Sequence, residues 1–180
     1  MDQIRLNSGR AVSIRPIEAA DGGALHEAYE RLSDDTKYKR FMAAKPHLSR
    51  RDISYLTRID GDNHVALVAT PVGRPDQIIG VARFVRLPED ARTAEFAIVI
   101  GDPYQGEGLG SELMSRLAEA ATEHGVKRLR GTMLADNVGA HKLTRRLAGE
   151  LAHERRLGAV DELEVELAPA ASRGVDAAAA

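Results

Sequence analysis

The stretch that most constrains this chain is YQGEGLGSEL, residues 104 to 113, where three glycines fall within five positions. Before it runs AEFAIVI, residues 94 to 100, an apolar segment of strand character. After it, Leu113, Met114, Leu117 and Ala121 recur at helical spacing until Gly125, and Ser111 is the expected N-cap. A further strand-like run, RLRGTML at 128 to 134, follows directly. Strand, glycine loop, helix and strand make a crossover unit, which normally sets its two strands side by side and parallel. Glycine lets the backbone at a helix N-terminus come close to an anion, where free N–H groups and the helix dipole favour negative charge. From the glycines alone two readings stand: an anion cradle, or a turn that lets strand and helix pack. A Walker loop is excluded because no Gly-Lys-Ser/Thr follows, and a Rossmann fingerprint fails because GLGSEL from Gly108 ends in Leu113.

The remaining segments predict a mixed α/β order. AVSIRPI, from residue 11, alternates and closes at Pro16, as a strand entering a loop does. Leu25, Ala28, Tyr29 and Leu32 mark one face of a helix, and Ser49 caps a second that carries Ile53, Leu56 and Ile59. HVALVAT, IIGVARFV and AEFAIVI read as strands, and the short turn-rich links between them favour antiparallel pairing. NVGAHKLTRRLAG reads as a short helix and DELEVELA as a closing strand. The expectation is one domain over residues 1–168, with an Ala-rich tail at 169–180 taken as disordered.

Composition removes several function classes. The chain has no cysteine, so thiolate catalysis, disulfides and thiolate zinc sites are excluded. Its six histidines show no HExxH pattern, and no metal is expected. A net charge of -2 and the absence of Trp argue against a nucleic-acid surface. No signal-like or membrane-spanning run is visible, which gives the expectation of a cytoplasmic protein without membrane partners.

The spacing Gln105, Gly108, Gly110 resembles the QxxGxG acyl-CoA loop of the GNAT-type N-acetyltransferase superfamily, over roughly residues 12 to 167. The resemblance implies a mixed, largely antiparallel sheet flanked by helices, with the loop joining the fourth family strand to the third family helix. It implies acetyl-CoA as co-substrate, with Gln105 in the cofactor-binding loop and the pyrophosphate held by backbone N–H groups of Gly106, Glu107, Gly108, Leu109, Gly110 and Ser111. Groups of Ile98, Val99 and Ile100 would take the pantetheine arm, and Asn137 would lie beside the cofactor. LSDDTKYKRF, LTRIDGDNHVALVA, IIGVARFV and AEFAIVIGDPYQGEGLGSELM are similar, more narrowly, to the catalytic domain of Pat-type bacterial protein lysine acetyltransferases. That likeness implies a protein lysine acceptor, with acyl-CoA synthetase-like targets. The sensor domains often fused to that unit are not expected here.

The chemistry has its own requirement. A lysine amine titrates near 10.4, so roughly one in a few thousand is neutral at pH 7, and a base must take its proton before attack on a thioester. Glu95 is the candidate. It opens the apolar run Phe96 to Ile100, where burial is expected to raise its pKa, and the Pat resemblance implies the general-base role for the Glu of AEFA; a solvent-facing strand residue is the plainer reading. Asp60 and Asp62 attract a cationic acceptor or simply form a solvated turn. KYKRF, residues 37 to 41, docks a phosphate or an acidic partner, or is a solvated helix end. Many GNAT enzymes carry an acid Tyr in the helix after the fifth family strand; residues 138 to 149 have none, and LAGE replaces the usual Leu-Gly-Phe. His141 is the only near-neutral titrating group there, so the acid is left unassigned. A small amine such as a polyamine or aminoglycoside is the alternative acceptor, a non-catalytic acyl-CoA sensor the alternative class, and monomer or dimer both stand.

Overall fold

The computed structural model describes residues 2–148 and 152–168, so the expected tail and the turn following LAGE lie outside the described residues. Its centre is an eight-stranded sheet in the order β1-β2-β3-β4-β5-β6-β8-β7. The strands are β1 (Asp2–Arg5), β2 (Ala11–Pro16), β3 (His64–Pro71), β4 (Gly80–Leu87), β5 (Asp90–Ile100), β6 (Arg128–Leu134), β7 (Ala152–Leu157) and β8 (Val160–Glu166). The helices are α1 (Gly22–Glu30), α2 (Asp34–Phe41), α3 (Arg50–Thr57), α4 (Leu109–Glu123) and α5 (Val138–Ala148). Every neighbouring pair is antiparallel except β5 with β6, which is parallel and joined through α4. This is the expected mixed sheet with a single crossover.

Strand alternation along β3 and β4 sends side chains to two separate cores. On one face Ala82, Phe84 and Ala94 meet Leu109, Leu113, Met114, Leu117 and Ala121 of α4. Leu109, Leu113 and Leu117 are fully buried, each worth roughly 1.5–3 kcal/mol by area. Gly80 permits this approach, since a Cβ there would stand 3.1 Å from both Ile100 and Leu113 side chains. On the other face Ala66, Val68, Ile78 and Val81 pack with Ile17 and Leu25, and Ile53 and Leu56 of α3 close over them.

Local details differ from the sequence reading at one helix cap and in three elements. Helix α4 begins at Leu109 with Gly108 as N-cap at φ +90°, so Ser111 lies inside the first turn and is not its cap. Ser49 does cap α3, in a box in which Asp52 answers back to the Ser49 amide. Three elements carried no clear pattern: β1, α2 and β7. KYKRF belongs to α2, which Ser33 caps by accepting from the Thr36 amide.

Candidate functional site

Strands β5 and β6 pair only from Thr93 to Glu95 against Arg128 to Arg130. Beyond that point β6 continues with β8, β5 continues with β4, and the two strands part. The result is a fork whose vertex is Glu95, with one edge of the Phe96–Ile100 segment free of strand partners. The Phe96 ring lies over the Gly131 backbone inside the fork; a Cβ on Gly131 would stand 2.6 Å from it.

The glycine loop sits at the open end of that fork. After a single 3-10 turn at Asp102–Tyr104, Gly106 and Gly108 take φ of +74° and +90°, a region that only glycine adopts without strain. Among the described residues, the amides of 106 to 111 donate to no protein acceptor, and the first bond of α4 is from the Glu112 amide to Gly108. An amphipathic helix 15 residues long therefore presents an uncapped N-terminus behind a loop of free donors. That is the cradle reading of the glycines, and its chemistry fits a pyrophosphate.

Two elements hold the loop. The β1–β2 turn docks on it through the Asn7 amide to the Glu107 carbonyl at 3.1 Å and Arg10 to the Pro103 carbonyl at 3.1 Å. Arg10 also lies 5.0 Å above the Tyr104 ring and 3.5 Å from Glu107, the one loop carboxylate. These residues went unread in the sequence because β1 is short and polar; the NSG turn was the only signal. Helix α2 is clamped from the other side: Asp102 accepts from the Ser33 amide, the Ser33 hydroxyl and the Thr36 hydroxyl at 3.0, 2.7 and 2.8 Å. Burial pushes the Asp102 carboxyl up, but these donors outweigh it and hold its pKa below the ordinary value. Gln105 spends its side-chain amide on Thr36 and on the Ile100 carbonyl, so that carbonyl is already satisfied.

Glu95, Ala97 and Val99 point to the face opposite α4, where Ala97 is paired with Arg83 and Val99 with Val81. Glu95 itself is exposed, against the expectation of burial: Phe96 and Ile98 turn the apolar side inward, and Glu95 takes the alternate direction. Next to it, Ala97, Val99, Arg83, Arg40, Tyr29 and Leu56 line a small, open-mouthed cavity of about 40 Å³ beneath α1, α2 and α3. The fork, the loop and this cavity meet along β5.

Other sequence candidates stand elsewhere. Asp60 accepts from the Asp62 and His64 amides and from Asn63, which drops its pKa to about 2 and ties it into the turn before β3. Asp62 is exposed, 3.7 Å from Arg86. Asn137 accepts from the Ala140 amide at the start of α5. His141 faces the β7–β8 hairpin, with Nδ1 2.7 Å from Glu154 and Nε2 3.4 Å from the buried Asp161.

Comparison with known proteins agrees with this geometry. The acetyltransferase (GNAT) domain family matches residues 12–149. The chain is 33% identical over 166 residues to acetyltransferase Pat of Mycolicibacterium smegmatis, covering 92% of this chain and 49% of that protein. It is 31% identical over 126 residues to acetyltransferase PA5475 of Pseudomonas aeruginosa, covering 69% of this chain and 67% of that protein. Among solved structures, the GNAT domain of S. lividans PAT superposes with a TM-score of 0.84 at 30% identity, over 92% of this chain and 96% of that one. The chain thus spans about half the length of the M. smegmatis protein it matches.

Proposed function

The chain belongs to the acetyltransferase (GNAT) family, and on that footing we propose that it moves the acetyl group of acetyl-CoA to the side-chain amine of a protein lysine, with Glu95 as the base. One observation carries the reading: Glu95 is the last residue paired across β5 and β6, at the vertex of the fork and open to solvent on the cavity face. A carboxylate there is accessible to an incoming ammonium and lies beside the strand edge that a pantetheine arm would use.

Acetyl-CoA supplies an activated thioester, and the residues present fit it. The free amides of Gly106, Glu107, Gly108, Leu109, Gly110 and Ser111 hold the pyrophosphate, with the α4 dipole behind them. The unpaired groups of Ile98 along the fork take an amide of the arm, whereas those of Val99, against the expectation, turn to Val81 of β4, and Ile100 contributes its remaining backbone donor only, since Gln105 occupies its carbonyl. Asn137 flanks the mouth at the start of α5. Glu95 takes the proton from the acceptor ammonium directly or through water, which frees the lone pair for attack. A backbone amide of β5 stabilises the oxyanion that forms. The departing thiolate takes a proton from water; His141, engaged by Glu154 and Asp161, has no role in that step. The chemistry needs no metal.

The resemblance of its motifs to Pat-type catalytic domains supports a protein lysine as acceptor and a relative of the acyl-CoA synthetases as the target class. Asp60 and Asp62 act at most by long-range attraction of a basic surface, since Asp60 is consumed by its turn. The test is release of CoA from acetyl-CoA in the presence of lysine-containing proteins and, separately, of polyamines and aminoglycosides, for the wild type and Glu95→Gln. We expect label on a protein lysine, lost about 10²–10⁴-fold in Glu95→Gln while acetyl-CoA binding is kept. Unchanged turnover in Glu95→Gln removes it from the mechanism, and turnover of small amines alone replaces the acceptor.

A further inference from the structure

The cavity beside Glu95 is lined by two guanidinium groups that have no carboxylate partner among the described residues. Arg83, on β4, is only 6% exposed, yet its polar partners are the Leu56 carbonyl at 3.2 Å and the His64 Nε2 at 3.1 Å, both reached by Nη1. Among the described residues its Nε and Nη2 meet no acceptor. Arg40, in the last turn of α2, lies 4.8 Å over the Phe41 ring and makes no hydrogen bond or ion pair among the described residues. Both line the same cavity, whose other walls are apolar apart from Tyr29. The Tyr29 hydroxyl donates to the Lys45 carbonyl, so it offers no anion to either guanidinium.

A buried cation normally has a carboxylate within reach. Elsewhere this protein supplies one: Arg15 is matched by Asp21 at 2.7 Å. At Arg40 and Arg83 two cations are placed close together and left unmatched. Burial, and then the nearness of Arg40, push the Arg83 pKa down to about 10; burial pushes Arg40 down as well. Water entering the cavity relieves part of that cost, whereas an anion relieves both terms.

Position says which anion. Arg83 pairs across the sheet with Ala97, and Ala97 is two residues along β5 from Glu95 on the same face. A group held by these arginines therefore arrives with whatever amine is presented to Glu95. We propose that the Arg40–Arg83 cavity binds an acidic side chain flanking the target lysine, making an Asp or Glu beside the acetylated residue a specificity determinant. This rests on the protein lysine reading above and adds its sequence context. The anion takes the open Nε and Nη2 edge of Arg83, and Arg40 closes over it from α2.

The test uses two peptides that differ only by Glu or Gln next to the lysine, with kcat and KM from CoA release in wild type, Arg40→Gln, Arg40→Glu and Arg83→Gln. We expect the Glu peptide to be favoured at least tenfold in kcat/KM, expressed in KM, and the preference to shrink below twofold in Arg40→Gln with acetyl-CoA affinity unchanged. Arg40→Glu should turn the preference toward a peptide with Lys beside the target. Arg40 is half-buried, so its variants test the idea even where Arg83→Gln fails to fold. Equal rates on both peptides in the wild type, or a preference that survives Arg40→Gln, overturn this assignment and leave lysine acetylation standing. No turnover of any peptide, with small carboxylated amines used instead, overturns the protein acceptor and this assignment together.

Discussion

Glycine answers two different demands within this fold, and substitutions separate them. At 106 and 108 the demand is conformational, because φ is +74° and +90° and a Cβ at 106 would touch nothing within 4 Å. Gly106→Ala and Gly108→Ala should each cost about 1–2 kcal/mol of stability and raise the KM for acetyl-CoA more than they lower kcat, read by denaturation and steady-state kinetics. At 131 the demand is steric: Gly131→Ala sets a methyl 2.6 Å from the Phe96 ring and should cost about 1–3 kcal/mol. Phe96→Leu in the same chain should return part of that loss, and a double-mutant cycle measures how much. QxxGxG was legible because positive φ is written in glycine, whereas the fork glycine was not, since RLRGTML gives no hint that an aromatic ring lies across it. Glu95 was singled out through its place in AEFA, but its exposure was misread because an apolar run hides the alternation of a strand.

Among elements, legibility followed apolar periodicity. Helices α1, α3 and α4 and strands β2 to β6 carry an apolar face and were read from it. Helix α2, DDTKYKRF, carries almost none, and is held by the Ser33 cap and by Asp102 across 66 to 69 positions of sequence. Strands β1 and β7 are polar edge strands whose partners alone define them. A helix held by three bonds to one carboxylate is easily released: Asp102→Ala should cost about 2–3 kcal/mol and speed amide exchange in α2 well beyond that in α4. Because the Asp102 pKa lies below its unfolded value, its contribution is present at neutral pH and disappears as pH falls through the folded pKa, so α2 should loosen early on acidification.

The molecule as a whole should lose stability on the acid side through His64. Burial first and the Arg83 charge second hold its pKa down to about 4, against about 6.5 when unfolded. Between those values the unfolded chain binds the extra proton, so stability is full above pH 6.5 and declines toward pH 4, by about 1–2 kcal/mol after allowance for screening. Urea denaturation at pH 7 and 4.5 should show it, and His64→Gln, which still accepts from Arg83, should flatten that slope. A further consequence follows from Gln105 and Asp102. Through Thr36 and Ser33 they fasten the wall that carries Arg40 to the loop proposed for the pyrophosphate. On the proposed reading, donor and acceptor would bind at opposite ends of one short lever, and thermodynamic reciprocity would govern it: whatever factor acetyl-CoA adds to the affinity for the acceptor, the acceptor must return to acetyl-CoA.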